Sequence, residues 1–468
     1  MEWYWTLLLL LGSILALMFI GLPVGIAFIV VNTVAAFFLF GRFGSFDANM
    51  FAGITQLTDN AFANITIFAI VPIPMFLLMG EMFFHTGLAN RMFNAVERLM
   101  GRVPARLSYV TVAGGTAFAT LSGSSMGSTA LLGTLMIPEM SKRGYKKHMS
   151  IGPILGTGGL AMLIPPSALA VLLGTLAELD IGKLLIAGVI PGLLLALFYT
   201  ILIFVLATRD PNAAPAYDVE FTSWGTRIRL LLLDILPMIS VIFMVILLIM
   251  FGIATPSESA SYGSLGVMFL AILYLFIVPL VQGDMDAVRK FLPFFGKALW
   301  QSLWGAGRVT VIALFILFGS SLFSNVLAAS QASLRLIEWV TSFDVSALTL
   351  LLLMFGVLLV LGMFMDQLAM MLLTVPIFFP IVQGVDFGMA TEMKLIWFGV
   401  IMLLAMEISF TTPPFGLLLF VMQGVAPPGT RFSEICLAAL PFMGCAILLV
   451  ALIVMFPAIA IWLPFLGS

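Results

Sequence analysis

Ionisable side chains are scarce in this chain. Its 468 residues include 20 lysines and arginines, 22 aspartates and glutamates and two histidines, 9% charged against 62% hydrophobic, with a mean hydropathy of +1.19. No soluble core needs that much apolar surface. The net charge of −2, with no basic stripe, argues against nucleic-acid binding. Cysteine is nearly absent. Cys436 and Cys445, nine residues apart in one apolar segment, lie more than a helical turn from each other and read as inert core thiols. His85 and His148 add too little for a metal cluster. No Ser/His pair, paired carboxylates or His/Cys cluster stands at workable spacing, which disfavours an enzyme. What remains is an all-α polytopic membrane protein.

A spanning helix needs about 20 apolar residues. Spans are expected near 4–20, 24–40, 65–85, 183–208, 231–252, 261–282, 300–329 and 434–463. The first carries Trp3, Tyr4 and Trp5 as an interfacial belt and lacks a basic n-region, so it reads as a membrane helix rather than a cleaved signal.

Four further stretches carry Gly/Ser/Pro-rich interruptions. Those at 107–140 and 347–382 turn at "SGSS" and "LGMFMDQ"; those at 149–178 and 394–425 break at "LIPPS" and "FTTPPFG". Inside a bilayer an unpaired backbone group costs several kcal/mol, so breaks survive only where protein or a wet cavity surrounds them. Matching breaks in two halves point to the binding site of a secondary transporter.

Charge sets the expected topology. Arg91, Arg98, Arg102 and Arg106 precede the first interrupted stretch, and Lys142, Arg143, Lys146 and Lys147 follow it. Both flanks are basic and should be cytoplasmic, so the stretch dips in and returns as a re-entrant hairpin with arms of about 25 Å. Counting onward, the second hairpin enters from the outer face; counting backward, the N-terminus is periplasmic. The double prolines support a repeat, since Pro166 precedes Pro191 by 25 residues and Pro414 precedes Pro441 by 27. The expected organisation is one inverted-topology repeat over 1–208, a cytoplasmic linker over 209–230 and a second repeat over 231–468, each with an amphipathic arm, a hairpin and a broken helix. The arms are read from "FNAVERLMG" and "LRLIEWVTS".

The residues "SGSSMGSTALLGTLMIPEMSKRGY", "IPPSALAVLLGTL", "KLLIAGVIPGLLLAL", "GIATPSESASYG", "MDQLAMMLLTVPIFFPIV" and "MEISFTTPPFGLLLFVMQGVAP" follow one another along nearly the whole chain. In this the sequence resembles the large membrane subunit of tripartite ATP-independent periplasmic (TRAP) transporters. The resemblance implies sodium-driven uptake of a small organic anion or related polar solute across a bacterial inner membrane. It also implies a periplasmic substrate-binding protein, a small four-helix membrane subunit and an elevator mechanism, with no organic cofactor.

On that reading two or more sodium ions are bound at the breaks, where unwound helices offer carbonyls. A first site is expected from Ser122, Gly123, Ser124 and Ser125 at the hairpin tip and from Gly159, Ile164 and Pro165 in the broken helix. Proline lacks an N–H, so carbonyls a turn earlier are freed. The symmetry-related site draws on Gly362, Met365 and Asp366 with Thr411, Thr412 and Pro413. Asp366 is read as a sodium ligand, with a proton or a helix cap as competitors; Glu407 is read as a hydrogen-bonding group rather than an ion relay. Ser125, Ser128, Thr129, Ser167 and Thr412 are the candidate substrate contacts, near half-helix N-termini that suit an anion. Against all of these stands the plainer role of glycine and serine as close-packing residues. The competing function is a self-sufficient ion-coupled carrier or exporter of the same architecture.

Overall fold

The computed structural model describes residues 3–40, 70–217, 223–330, 345–363, 365–414 and 416–466, with a few isolated positions besides. Among the described residues every regular element is helical. Among the described residues, six helices are long and apolar enough to cross a membrane: Ile181–Arg209, Trp224–Met250, Pro256–Gln282, Gln367–Gly384, Thr391–Thr411 and Phe432–Met455.

The first half opens with α1 (Trp3–Phe19), α2 (Val24–Phe40), α3 (Pro72–His85) and α4 (Leu88–Leu99). The last of these is amphipathic: Leu88, Ala89, Met92, Phe93 and Ala95 are buried while Asn94 and Arg98 face outward, the three-and-four spacing of one apolar stripe. A hairpin of α5 (Arg106–Ser122) and α6 (Ser125–Lys142) follows. Next comes a broken helix made of α7 (Lys147–Gly159), a 3₁₀ turn (Leu160–Met162) and α8 (Ala168–Leu176), then α9 (Ile181–Ala187) and α10 (Val189–Arg209).

In the second half, α11 (Trp224–Leu230) passes through a π-turn (Leu231–Ile235) into α12 (Leu236–Met250). Helix α13 (Pro256–Ile272) passes likewise through a π-turn (Leu273–Ile277) into α14 (Val278–Gln282), and α15 runs from Met285 to Ala329. The second hairpin is α16 (Ala347–Gly362) and α17 (Gln367–Gly384); the second broken helix is α18 (Thr391–Thr411) and α19 (Leu417–Val425). Helices α20 (Phe432–Met455) and α21 (Ala458–Ile461) close the chain.

One boundary differs from the sequence reading. Helix α15 starts at Met285 rather than near 300, because the charged stretch around Asp286, Arg289, Lys290 and Lys297 continues the helix through Pro293. Arg308 therefore stands 23 residues into that helix. The span expected at 65–85 is described only from residue 70, and most of the second arm at 334–342 lies outside the described residues.

Packing follows the internal repeat. Both arms of the first hairpin lie on α7, and both arms of the second lie on α18. The second arms also cross over: α6 packs on α19, and α17 packs on α8. Helix α20 bridges the two broken helices by touching α7 and α18. Around this unit α3 packs on α13 and α15, and α2 on α15. Helix α18 is buried without interruption from Ile396 to Thr411, as expected of a helix enclosed by others. The fold is thus a pair of repeats, each with a hairpin packed on a broken helix; the first break is buried, whereas the second is partly exposed at Thr412, Pro413 and Pro414.

Candidate ion and solute site at the two helix breaks

The first hairpin turns because α5 ends on Gly123, whose φ of 59° lies in the left-handed region that glycine tolerates. Ser124 then starts α6, its hydroxyl accepting the Gly127 amide at 3.2 Å. Ser122 Oγ lies 2.6 Å from Ser128 Oγ and 3.1 Å from the Ala119 carbonyl. The tip sits on the first break: a Cβ placed on Gly123 would lie 3.7 Å from the Ala168 amide nitrogen and 3.9 Å from the Pro166 carbonyl.

The break opposite it is fully buried from Ala161 to Ala168. Leu163 and Ile164 both donate to the Leu160 carbonyl, at 3.1 Å each, and the ladder then stops at Pro165 and Pro166, joined by a cis peptide. Ser167 restarts the helix by accepting the Ala170 amide at 3.2 Å while donating to the Met162 carbonyl at 2.9 Å. Among the described residues, no backbone amide donates to the carbonyls of Ile164, Pro165 or Pro166. Backbone carbonyls without an amide partner are oxygen ligands of the kind a hard cation takes.

Ser125, Thr129 and Glu407 pack against the glycine pair of α7. A Cβ on Gly158 would meet Thr129 Oγ1 at 2.2 Å and the Ser125 carbonyl at 3.3 Å; one on Gly159 would meet Glu407 Cγ at 2.2 Å. Ser125 Oγ, Thr129 Oγ1 and Glu407 Oε2 are each buried and hydrogen-bond to no protein group. Such atoms are uncommon in folded proteins because each carries a desolvation penalty of about 1–3 kcal/mol. Glu407 Oε1 accepts the Tyr199 hydroxyl at 3.1 Å. The cavity beside Glu407, lined by Tyr199, Thr411 and Phe442 among others, holds about 10 Å³. That is room for one water at most, which favours a hydrogen-bonding role over passage of a hydrated ion.

The second tip has the same plan with different chemistry. Gly362 lies against α18, where a Cβ would meet Ser409 Oγ at 2.1 Å. Met365 is buried and donates to the Leu361 carbonyl at 3.1 Å. Asp366 caps α17, its Oδ1 accepting the Ala369 amide at 2.9 Å. In the facing break Thr411 Oγ1 and Thr412 Oγ1 both donate to the Ile408 carbonyl, at 3.0 and 2.7 Å. Pro413 joins Pro414 through a second cis peptide. These hydroxyls keep lone pairs for a further partner.

Among the contacts that join the two halves, two more lie at the breaks and were not signalled by spacing in the sequence. Gln367 Nε2 at the second tip reaches Met162 Sδ in the first break at 3.0 Å, and Glu407 of the second broken helix lies over Gly159 of the first. Ser125, Ser128, Thr129 and Ser167 thus lie around the first break, with Ser128 bonded to Ser122. Thr412 belongs to the second. Tyr199 was missed; its one signal was a polar aromatic in the otherwise apolar α10.

Comparison with known proteins places the chain. The large permease protein DctM of a C4-dicarboxylate TRAP transporter in Pseudomonas aeruginosa is 32% identical over 413 residues, covering 88% of this chain and 90% of that one. The ectoine TRAP large permease TeaC of Halomonas elongata is 26% identical, covering 97% of this chain and 98% of its own. The sialic acid TRAP large permease SiaM of Vibrio cholerae is 27% identical, covering 98% and 99%. In fold, the chain resembles the Alcanivorax borkumensis YdaH transporter, with a TM-score of 0.56, 14% identity and 87% and 89% of the two chains covered. It also resembles Neisseria gonorrhoeae MtrF, with a TM-score of 0.57, 12% identity and 93% and 95% covered. The model of the tripartite ATP-independent periplasmic transporter DctM component matches residues 11–459, and the chain belongs to that family of multi-pass inner-membrane permeases.

Proposed function

We propose that this chain couples sodium entry to uptake of a small organic anion or related polar solute. A periplasmic binding protein delivers the solute, a small four-helix subunit braces the chain, and the hairpins move as an elevator against the surrounding helices. The relatives are named for C4-dicarboxylate, ectoine and sialic acid, so the class of cargo is a small polar solute.

The observation that supports this most is that Ser125 Oγ and Thr129 Oγ1, on the hairpin arm packed against Gly158, are buried without a protein partner, while the carbonyls at 164–166 accept no backbone amide. One sodium lies between Ser122–Ser125 and Gly159–Pro165, and a second between Gly362–Asp366 and Thr411–Pro413. The solute sits between the tips, against Ser125, Ser128, Thr129, Ser167 and Thr412. Helices α6, α8, α17 and α19 all begin at the breaks, and their N-termini carry positive partial charge suited to an anionic headgroup without an arginine. With the basic flanks of the first hairpin cytoplasmic, the N-terminus is periplasmic and the hairpins enter from opposite faces.

The test is uptake into proteoliposomes holding this chain and its small subunit, with the cognate binding protein outside. Uptake is expected only with both an inward sodium gradient and the binding protein. Uptake that persists without the binding protein would instead identify a self-sufficient carrier, and uptake indifferent to sodium would remove the coupling.

A further inference from the structure

Away from the breaks, α4 and the two π-turns flank an open cavity of about 470 Å³, lined by Thr86, Arg91, Asn94, Arg98, Asp234 and Tyr274 among others. Arg91, Asn94 and Arg98 recur every three or four residues and so share one face of α4. The opposite wall comes from the π-turns: Asp234 lies in Leu231–Ile235 and Tyr274 in Leu273–Ile277. Single π-turns inside α-helices occur disproportionately at functional sites. Here the two are tied together, because the Tyr274 hydroxyl donates to the Leu233 carbonyl.

Arg91 is held from both sides. Its Nε donates to Asp234 Oδ1 at 2.5 Å, and its guanidinium carbon lies 4.1 Å from the centre of the Tyr274 ring. A guanidinium has five donors, so fixing Nε leaves the rest of the fork oriented by the wall that holds it. Arg98 and Asn94 are exposed at the cavity, and one carboxylate faces two guanidiniums. Beside this basic lining, Leu231, Leu232, Leu233 and Leu236 are all exposed on a helix apolar enough to span. A cationic cavity bordered by exposed leucines matches a ligand with an anionic head and apolar tails.

We infer that this cavity seats the phosphate headgroup of an anionic phospholipid, with Arg91 and Arg98 on the phosphate and the acyl chains along Leu231–Leu236. Its assignment to the cytoplasmic leaflet rests on the orientation proposed above; the binding chemistry does not. Neither sodium nor solute enters the test, so its outcome is separable from that of the transport reading.

The experiment is native mass spectrometry and thermal shift on the purified chain, alone and with its small subunit. It is titrated in detergent with phosphatidylglycerol, with phosphatidylcholine and with inorganic phosphate alone. Phosphatidylglycerol should be retained selectively and should raise the melting temperature. Arg98→Gln, at an exposed position, and Arg91→Gln should each lower that retention roughly fivefold, while Arg289→Gln on exposed α15 should leave it unchanged. Equal retention of phosphatidylcholine, or an equal loss in Arg289→Gln, would overturn the site. A shift with inorganic phosphate as large as with lipid would make it a free-phosphate site instead. Loss of lipid when the small subunit binds would assign the face to that subunit.

Discussion

Glu407 lies against the α-carbon of Gly159, so close that a Cβ at position 159 would stand 2.2 Å from Glu407 Cγ and 2.4 Å from Oε1. One residue belongs to each broken helix, so this contact fixes the two repeats against each other at the level of the breaks. It requires a residue without a side chain on one side and a buried carboxyl on the other.

Gly159→Ala forces the methyl into the Glu407 side chain, and overpacking of this kind costs about 1–3 kcal/mol. The melting temperature of the purified protein should fall. If instead it is unchanged, the two broken helices are not in the contact described.

Tyr199→Phe removes the donor to Glu407 Oε1 and leaves a buried carboxyl with neither oxygen bonded to protein. Destabilisation of about 1–3 kcal/mol is expected, read as a lowered midpoint in denaturant or heat. Glu407→Gln should be tolerated better than Glu407→Ala, since the amide still fills the space and accepts the Tyr199 hydroxyl.

Ser125→Ala and Thr129→Val remove hydroxyls that have no protein partner. Structural loss should be below about 1 kcal/mol, because no hydrogen bond to protein is broken. Half-saturation by sodium or solute, measured in proteoliposomes, should nevertheless rise at least several-fold. Unchanged half-saturation for both ligands would leave these residues as packing groups.

Asp366 separates two roles by substitution. Asparagine caps a helix about as well as aspartate, whereas alanine loses about 1 kcal/mol. Asp366→Asn should therefore keep the melting temperature yet weaken sodium activation, while Asp366→Ala should lose both. Full sodium activation in the asparagine variant would reduce Asp366 to the cap observed at Ala369.

The pair Lys146–Asp210, at 2.5 Å, holds the Asp210 carboxyl below its ordinary value through the Lys146 hydrogen bond. A lowered folded-state value means the pair adds stability above the unfolded carboxyl range and loses it as pH falls through the folded value. The difference in melting temperature between the parent and Asp210→Asn should therefore be present at neutral pH and vanish in acid, and it should shrink with salt because the carboxylate is solvent-exposed. A difference that grows toward acid pH would contradict the sign.

Much of this molecule is legible in the sequence because a bilayer leaves few choices. A chain this poor in charge must span as helices, and "SGSS", "IPP", "MDQ" and "TTPP" are the places where helical hydrogen bonding cannot continue. The helix caps at Ser124, Ser167 and Asp366 follow from the same local chemistry. Less legible was α15, whose charged first turns resemble a loop until the helix is seen to run 45 residues.

By itself the sequence determined the membrane class, the paired breaks and the family, since each depends on composition or on short-range order along the chain. Only the tertiary structure decided which breaks touch. Gln367 meets Met162 across 205 positions, and Tyr199 meets Glu407 across 208. The cavity between α4 and the two π-turns likewise needs three segments brought together. Contacts of that range are set by how helices pack, and packing depends on the shapes of whole surfaces rather than on any local pattern.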